Sequence, residues 1–295
     1  MKSRALRGAS LLGALALAGC GQPPPPSVFP TAEAALGRMR ASYACADGVQ
    51  GTAKLDVFST RGRVKGETYL LALLPERVRF DVVSAFGVTL YTLTSDGRDF
   101  KMLDLEQKQF LEGPAKPCNL ARLTQIPVPG HALVSLLRGE APVLVHAPGS
   151  GQIEWSDSGY YRVSLAGQHQ AREEIRLRVH PDDWLKPHTE QRVRVSRVLV
   201  SQAGRELYDV ELGEHRSVPT ASPRLDEDGL DDPIPPSGPS CDAEIPHRIR
   251  MRVPHTSDDV LLEYSEARWN PPLLEGSFTQ PQPGGTKRVF VDCTR

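Results

Sequence analysis

Period two governs most of this sequence. Val78, Phe80 and Val82 alternate with Arg77, Arg79 and Asp81, and Ile175, Leu177 and Val179 alternate with Glu174, Arg176, Arg178 and His180. Leu55 and Val57 alternate with Lys54 and Asp56. Val193, Val195 and Val198 stand among arginines, and Leu207, Val210 and Leu212 follow. Successive side chains of an extended strand point to opposite faces, so each run predicts a strand with one apolar and one charged face. Turn signals separate the runs: Thr60-Arg61-Gly62, Ser95-Asp96-Gly97, Ser156-Asp157-Ser158-Gly159 and Ala203-Gly204. Strands resume over residues 248–253, 260–264 and 288–292. The pattern predicts a mainly β chain, a long antiparallel meander with little room for crossover helices.

Helical spacing interrupts that pattern in two places. Residues 31–40 predict a helix with Thr31 as N-cap, and Leu36, Met39 and Tyr43 form one stripe. Residues 117–123 and 131–137 predict two short amphipathic helices, with Leu120 and Leu123 sharing a face of the first and Leu133, Leu136 and Leu137 sharing a face of the second. Between them lies an apolar, proline-stiffened joint, Ile126-Pro127-Val128-Pro129-Gly130. A curved antiparallel sheet with two short apolar helices suggests a half-rolled sheet with a helical lid over a cavity. Periodicity alone does not separate a cavity wall from a filled core.

Residues 216–240 are rich in Pro, Ser and Asp and read as a disordered insertion. Within them, Asp226-Glu227-Asp228-Gly229-Leu230-Asp231-Asp232 lacks the spaced ligands and terminal Glu of a calcium loop, so no metal site is expected. A different kind of exception sits in the break Ser84-Ala85-Phe86-Gly87, where a large apolar ring occupies a turn. Turn tips are usually polar. The Phe86 ring either folds back onto the core or touches an apolar partner.

The N-terminus carries Lys2, Arg4 and Arg7 ahead of a short apolar run at residues 11–18. That run is shorter than the roughly 20 residues needed to span a bilayer, and it reads as an export signal. Leu17-Ala18-Gly19-Cys20 resembles the lipobox of bacterial lipoproteins, which implies cleavage after residue 19 and acylation of Cys20. The organisation expected is a signal peptide at 1–19, a lipidated Cys and proline-rich spacer at 20–30, and one domain over 31–295. Losing residues 1–19 removes three basic residues and no acid, so the net charge goes from −1 to −4. No basic tract points to nucleic acid. Export implies an oxidising compartment, and four further cysteines, Cys45, Cys118, Cys241 and Cys293, allow two disulfides in three possible pairings. The pairing favoured is Cys45 with Cys118 and Cys241 with Cys293.

Catalytic motifs do not emerge. The eight histidines show no HExxH or HxxxH spacing, Gly149-Ser150-Gly151 is not a nucleophile elbow, and no phosphate-binding glycine loop occurs. Asp182 and Asp183 before Trp184 read as an acidic turn. No enzyme, cofactor or metal is expected.

Residues 82–139 resemble the LolB family of outer-membrane lipoprotein receptors, within the wider LolA/LolB superfamily. The resemblance rests on Ser84-Ala85-Phe86-Gly87-Val88-Thr89-Leu90, the Thr94-Ser95-Asp96-Gly97 turn, Leu123-Thr124-Gln125-Ile126-Pro127-Val128-Pro129, and a helix ending at Gly139. Ile245-Pro246-His247-Arg248-Ile249, Trp269-Asn270-Pro271-Pro272-Leu273, Phe278 and Pro283-Gly284-Gly285 resemble the closing strands of the superfamily. The resemblance implies an unclosed antiparallel β-barrel with a short helical lid. It implies a monomer, anchored in the outer membrane through Cys20 and facing the periplasm, that accepts acylated lipoprotein cargo from a LolA-type periplasmic carrier. Phe86 would be the membrane-contact loop. The acyl-chain cavity and lid would be lined by Val57, Phe80, Val82, Leu90, Tyr91, Leu93, Leu120, Leu123, Ile126, Val128, Leu133, Leu136 and Leu137. The same fold would also suit a lipoprotein binding another hydrophobic ligand, or an envelope scaffold with a filled core. The 216–240 segment and the four cysteines depart from the family pattern, and a disulfide at Cys118 would restrain the first lid helix.

Overall fold

The protein, as a computed structural model, is described over residues 21–60, 62–84, 86–225 and 232–293. Cys20 and the acidic residues 226–231 lie outside the described residues. The chain enters through α1 (Ala32–Ser42), whose Thr31 N-cap accepts from the Ala34 amide at 3.1 Å, so the expected cap is present. An up-and-down run follows: β1 (Gly48–Ser59), β2 (Gly62–Leu73), β3 (Arg77–Val83), β4 (Thr89–Ser95), β5 (Asp99–Asp104) and β6 (Gln109–Pro114). The two short helices are α2 (Pro117–Thr124) and α3 (Gly130–Arg138). A second meander comprises β7 (Gln152–Ser156), β8 (Tyr160–Ala166), β9 (Ala171–Val179), β10 (Val193–Gln202), β11 (Arg205–Ser217), β12 (Glu244–Val253) and β13 (Asp258–Trp269), and β14 (Lys287–Phe290) ends the chain.

All fourteen strands belong to one sheet, in the order β14-β6-β5-β4-β3-β2-β1-β13-β12-β11-β10-β9-β8-β7. The sheet does not close, and β7 and β14 are its edges. Pairing of β1 with β13 joins the two meanders into one surface. β14 departs from the expected antiparallel pattern by running parallel to β6. The reason is that the stretch after β13 crosses the outer face of the sheet before β14 begins. On the way, the Gln280 amide donates to the carbonyls of Thr92 at 3.0 Å and Lys101 at 3.2 Å.

Rolling the sheet places its apolar faces inside. α1, α2 and α3 pack there, and all three contribute to one continuous hydrophobic core. α3 is the most deeply set, with Leu133, Val134, Leu136 and Leu137 each at most 1% exposed. Each such side chain is worth about 1.5–3 kcal/mol of burial. α3 ends at Gly139, with φ 90°, where a Cβ would come within 2.5 Å of Pro246 Cδ, so only glycine fits. The outer face carries the charged set in cross-strand pairs such as Arg197–Asp209 at 2.7 Å.

Alternating hairpins give the sheet two ends. Turns 59–62, 84–88, 105–108, 167–170, 203–204 and 254–257 lie at one end, called here the mouth. Turns 74–76, 96–98 and 157–159 and the connection 180–192 lie at the other, the base.

Three expectations need correction. The disulfides are Cys45–Cys241 and Cys118–Cys293, not Cys45–Cys118 and Cys241–Cys293. Cys45 follows α1 and is drawn to the 240s by Asn270, whose amide donates to the carbonyls of Cys45 at 2.7 Å and Pro239 at 2.6 Å. Cys118 opens α2 beside the β6–β14 edge, where Cys293 leaves β14. The described parts of 216–240 are not a detached loop. Residues up to 217 belong to β11, and bridges join Thr220 to Trp269, Arg224 to Ile234 and Pro236 to Pro272. Lastly, residues 21–30 do not form a free spacer: Pro25 and Phe29 are buried against the domain.

Candidate functional site: the mouth beneath α2

At the mouth, the inner face is not completely filled. A cavity of about 420 Å³ opens between the β1–β2 hairpin, β3–β5 and the C-terminal end of α2. Its apolar wall is Leu55, Val57, Val64, Val82, Met102 and Leu123. Its rim is charged and polar, with Arg63, Asp104, Glu106 and Arg122. The volume falls within the usual range for small-ligand sites. An apolar wall under a polar rim suits an amphiphile whose chain goes in and whose head stays at the surface. Tyr91 sits across this boundary, its ring in the wall and its hydroxyl donating to Glu106 Oε2 at 3.1 Å. Burial, the hydrogen bond to Glu106 and the nearby acids raise its pKa above the ordinary phenol range.

α2 roofs one side of this opening. Its Cys118 is bonded to Cys293, and its Asn119 amide donates to the carbonyls of Pro114 at 2.9 Å and Val291 at 3.2 Å. The N-terminal end of α2 is therefore fixed to the β6–β14 edge. Its C-terminal end is held by local bonds, with Thr124 Oγ bonded to the Leu120 and Ile126 carbonyls. The C-terminal end of α2, with Leu123 and Gln125, borders the cavity, while Leu120 and Ile126 on either side are buried in the core.

The residues expected to line an acyl-chain cavity divide into two groups. Val57, Val82, Tyr91 and Leu123 border the open space. Phe80, Leu93, Leu120, Ile126, Val128, Leu133, Leu136 and Leu137 are packed into the filled core, none more than 4% exposed. Leu90 borders neither. It is the extra residue where the β3–β4 register shifts between Val82 and Val83, and it stays half-buried.

Beside the mouth stands Phe86, 93% exposed. Its loop is self-braced: Ser84 Oγ accepts from the amides of Phe86 at 3.3 Å and Val88 at 3.2 Å, and the Ser84 amide donates to the Val88 carbonyl at 2.8 Å. Gly87, at φ 76°, completes the turn. The ring thus projects outward rather than folding back on the core. Val88 at 60%, Phe58 at 54% and Val64 at 37% exposure lie at the same end. Sequence reasoning did not single these three out. Phe58 had a visible signal, because it sits in phase with Lys54 and Asp56 on the charged face of β1.

No family model matches this sequence, and no curated protein matches it. Among solved structures, it is similar to a LolA superfamily protein from Nitrosomonas europaea, with 13% identity and a TM-score of 0.48, covering 85% of this chain and 98% of that one. It is also similar to a putative outer membrane lipoprotein-sorting protein domain from Vibrio parahaemolyticus, with 10% identity and a TM-score of 0.44, covering 84% of this chain and 97% of that one.

Proposed function

We propose that this chain is a lipid-anchored receptor of the bacterial envelope that takes acyl chains of a lipoprotein at the mouth and passes them to the outer membrane. The observation that carries the reading is the pairing of two features at one end of an unclosed sheet. One is an apolar-walled cavity beside the C-terminal end of α2, and the other is a braced, almost fully exposed phenylalanine. Burial of acyl chain is worth ~0.8 kcal/mol per CH₂, so acylated cargo leaves a carrier or membrane only for another apolar site. The cavity supplies that site, and outward movement of α2, which carries Leu123 in the cavity wall, would lengthen it toward the core. Phe86 is the contact through which the chains pass between mouth and bilayer. Cys20 carries the anchor, and a LolA-type periplasmic carrier is the donor. No step needs a cofactor or bond-making chemistry in this chain.

The test mixes the chain lacking residues 1–20 with a LolA-type carrier loaded with an acylated lipoprotein, then separates the two proteins. Cargo found on this chain supports the receptor. Cargo retained by the carrier, with both disulfides formed, overturns it.

A further inference from the structure

We infer that the base of the sheet around Trp155, Trp184 and Leu185 is a membrane-resting surface, occupied by the bilayer that holds the lipid on Cys20, so that the mouth faces away from that bilayer. The inference rests on the reading of Cys20 as acylated. Its own foundation is the way residues 21–29 are clasped to the domain.

The Gln22 amide donates to the Asp157 carbonyl at 2.8 Å, and Trp155 Nε1 donates to the Gln22 carbonyl at 2.8 Å. Further along, Ser27 Oγ accepts from the His188 amide at 2.9 Å, and the Gln191 side chain donates to the Ser27 carbonyl at 3.1 Å. Phe29 is buried edge-on against Tyr161, with ring centroids 5.1 Å apart. Only Gly21 separates Gln22 from Cys20. Two residues of chain reach at most about 7 Å, so an acyl group on Cys20 would have to enter the bilayer within that reach of Gln22, which is bonded to the 157–159 turn.

What surrounds that point fits a lipid surface. The rings of Trp155 and Trp184 lie 5.8 Å apart, both half-exposed. Leu185, next in the chain, is 82% exposed. Indole rings favour the headgroup level of a bilayer, and an adjacent aliphatic residue can enter the acyl boundary. Arg178, exposed and 5.8 Å over the Tyr160 ring, lies in the same hollow as Gln22 and Trp184 and offers a cation to anionic headgroups.

Phe86 lies at the opposite end. A strand of nine residues such as β9 separates the two ends by about 30 Å. With the clasp closed, the mouth therefore faces the side from which a soluble carrier arrives. Phe86 reaches the bilayer only after residues 21–26 leave the base.

The experiment reconstitutes the full acylated chain in vesicles of phosphatidylethanolamine and phosphatidylglycerol. An environment-sensitive fluorophore is placed at Leu185→Cys or at Phe86→Cys, with peptide mapping to check that both native disulfides remain. A lipid-borne quencher should reduce emission several-fold more at position 185 than at 86. Trp155→Phe, which removes the bond to Gln22, should raise quenching at position 86. Stronger quenching at 86 than at 185 in the unmutated clasp, or none at either position on a vesicle-bound acylated chain, overturns the orientation while leaving the anchor intact. A mature chain whose mass shows no acyl group on Cys20 overturns the anchor and the orientation together.

Discussion

Glu173 converts the packing of the inner face into a measurable pH dependence. It lies on β9, only 2% exposed. Its Oε2 accepts from the Leu144 amide at 2.8 Å, while Oε1 has no partner. Burial pushes its carboxyl up to about 8 from an ordinary 4.5, and the Leu144 hydrogen bond pulls weakly the other way. At neutral pH the folded chain therefore holds this group protonated, whereas the unfolded chain ionises it. The unfolded state binds fewer protons between those two values, so stability is full below about 4.5 and is lost as pH rises towards 8. At about 1.4 kcal/mol per pH unit, the loss between pH 5 and pH 7 is about 2–3 kcal/mol. Glu173→Gln keeps the shape and removes the titration. Urea unfolding of both forms at pH 5, 6, 7 and 8 is the assay. The readout is the slope of stability against pH, because the amide changes which group faces the unpaired position. The wild type should lose about 2–3 kcal/mol relative to the variant between pH 5 and pH 7. Parallel profiles would refute the assignment of Glu173 as a neutral acid in a dry interior.

Phe86→Glu should leave unfolding stability within about 0.5 kcal/mol, since the ring is 93% exposed, yet slow delivery of cargo to vesicles. Loss of one phenylalanine contact, about 1.5–3 kcal/mol, corresponds to roughly 10- to 150-fold in that rate, and unchanged delivery would make the loop purely structural. Leu136→Ala, at a position 0% exposed, should cost about 2–5 kcal/mol in urea unfolding, and a cost under about 1 kcal/mol would mean that the centre of the sheet is hollow. Replacing Cys45 and Cys241 together by Ser opens a link spanning 196 residues and should cost up to about 5 kcal/mol; non-reducing peptide mapping that finds Cys45 joined to Cys118 would overturn the topology of this link.

Much of the sheet was legible because period two maps directly onto the two faces of a strand. Where the alternation broke, the break had structural meaning. The step from Val195 to Val198 passes over two residues instead of one, and the β9–β10 register shifts between Val195 and Arg197. One extra residue there restores the apolar phase, so Val193, Val195, Val198 and Val200 are all buried. β14 was read correctly as a strand, but not its direction. Its four residues contain no record of the path taken by the preceding stretch over the outer face. The disulfides were opaque for a similar reason. Cys45 meets Cys241 only because β1 pairs with β13 across more than 200 residues, and no local pattern encodes that pairing.

The mouth and the base differ in how each could have been read. Phe86 declared itself in the sequence, because an apolar ring in a turn violates the chemistry of turns. The cavity did not, since Val57 and Phe80 belong to equally good strand patterns and only the seating of α3 decides which of them meets empty space. α3 fills the centre, and among the described residues the inner-face cavity at the mouth opens where α2 stops, near Leu123 and Gln125. The base was hidden by its composition. A proline run reads as a spacer because proline cannot donate to a ladder, but such a run can still be held by its carbonyls and by the residues at either end. Gln22 and Ser27 are held in that way. If Cys20 carries the proposed anchor at the base and Phe86 the proposed contact at the mouth, the two cannot serve the same bilayer in one posture. Either the clasp opens during delivery, or Phe86 acts on the cargo before the membrane does. Trp155→Phe separates these alternatives: faster delivery means that clasp opening limits the step, and unchanged delivery means that Phe86 acts on cargo in the clasped state.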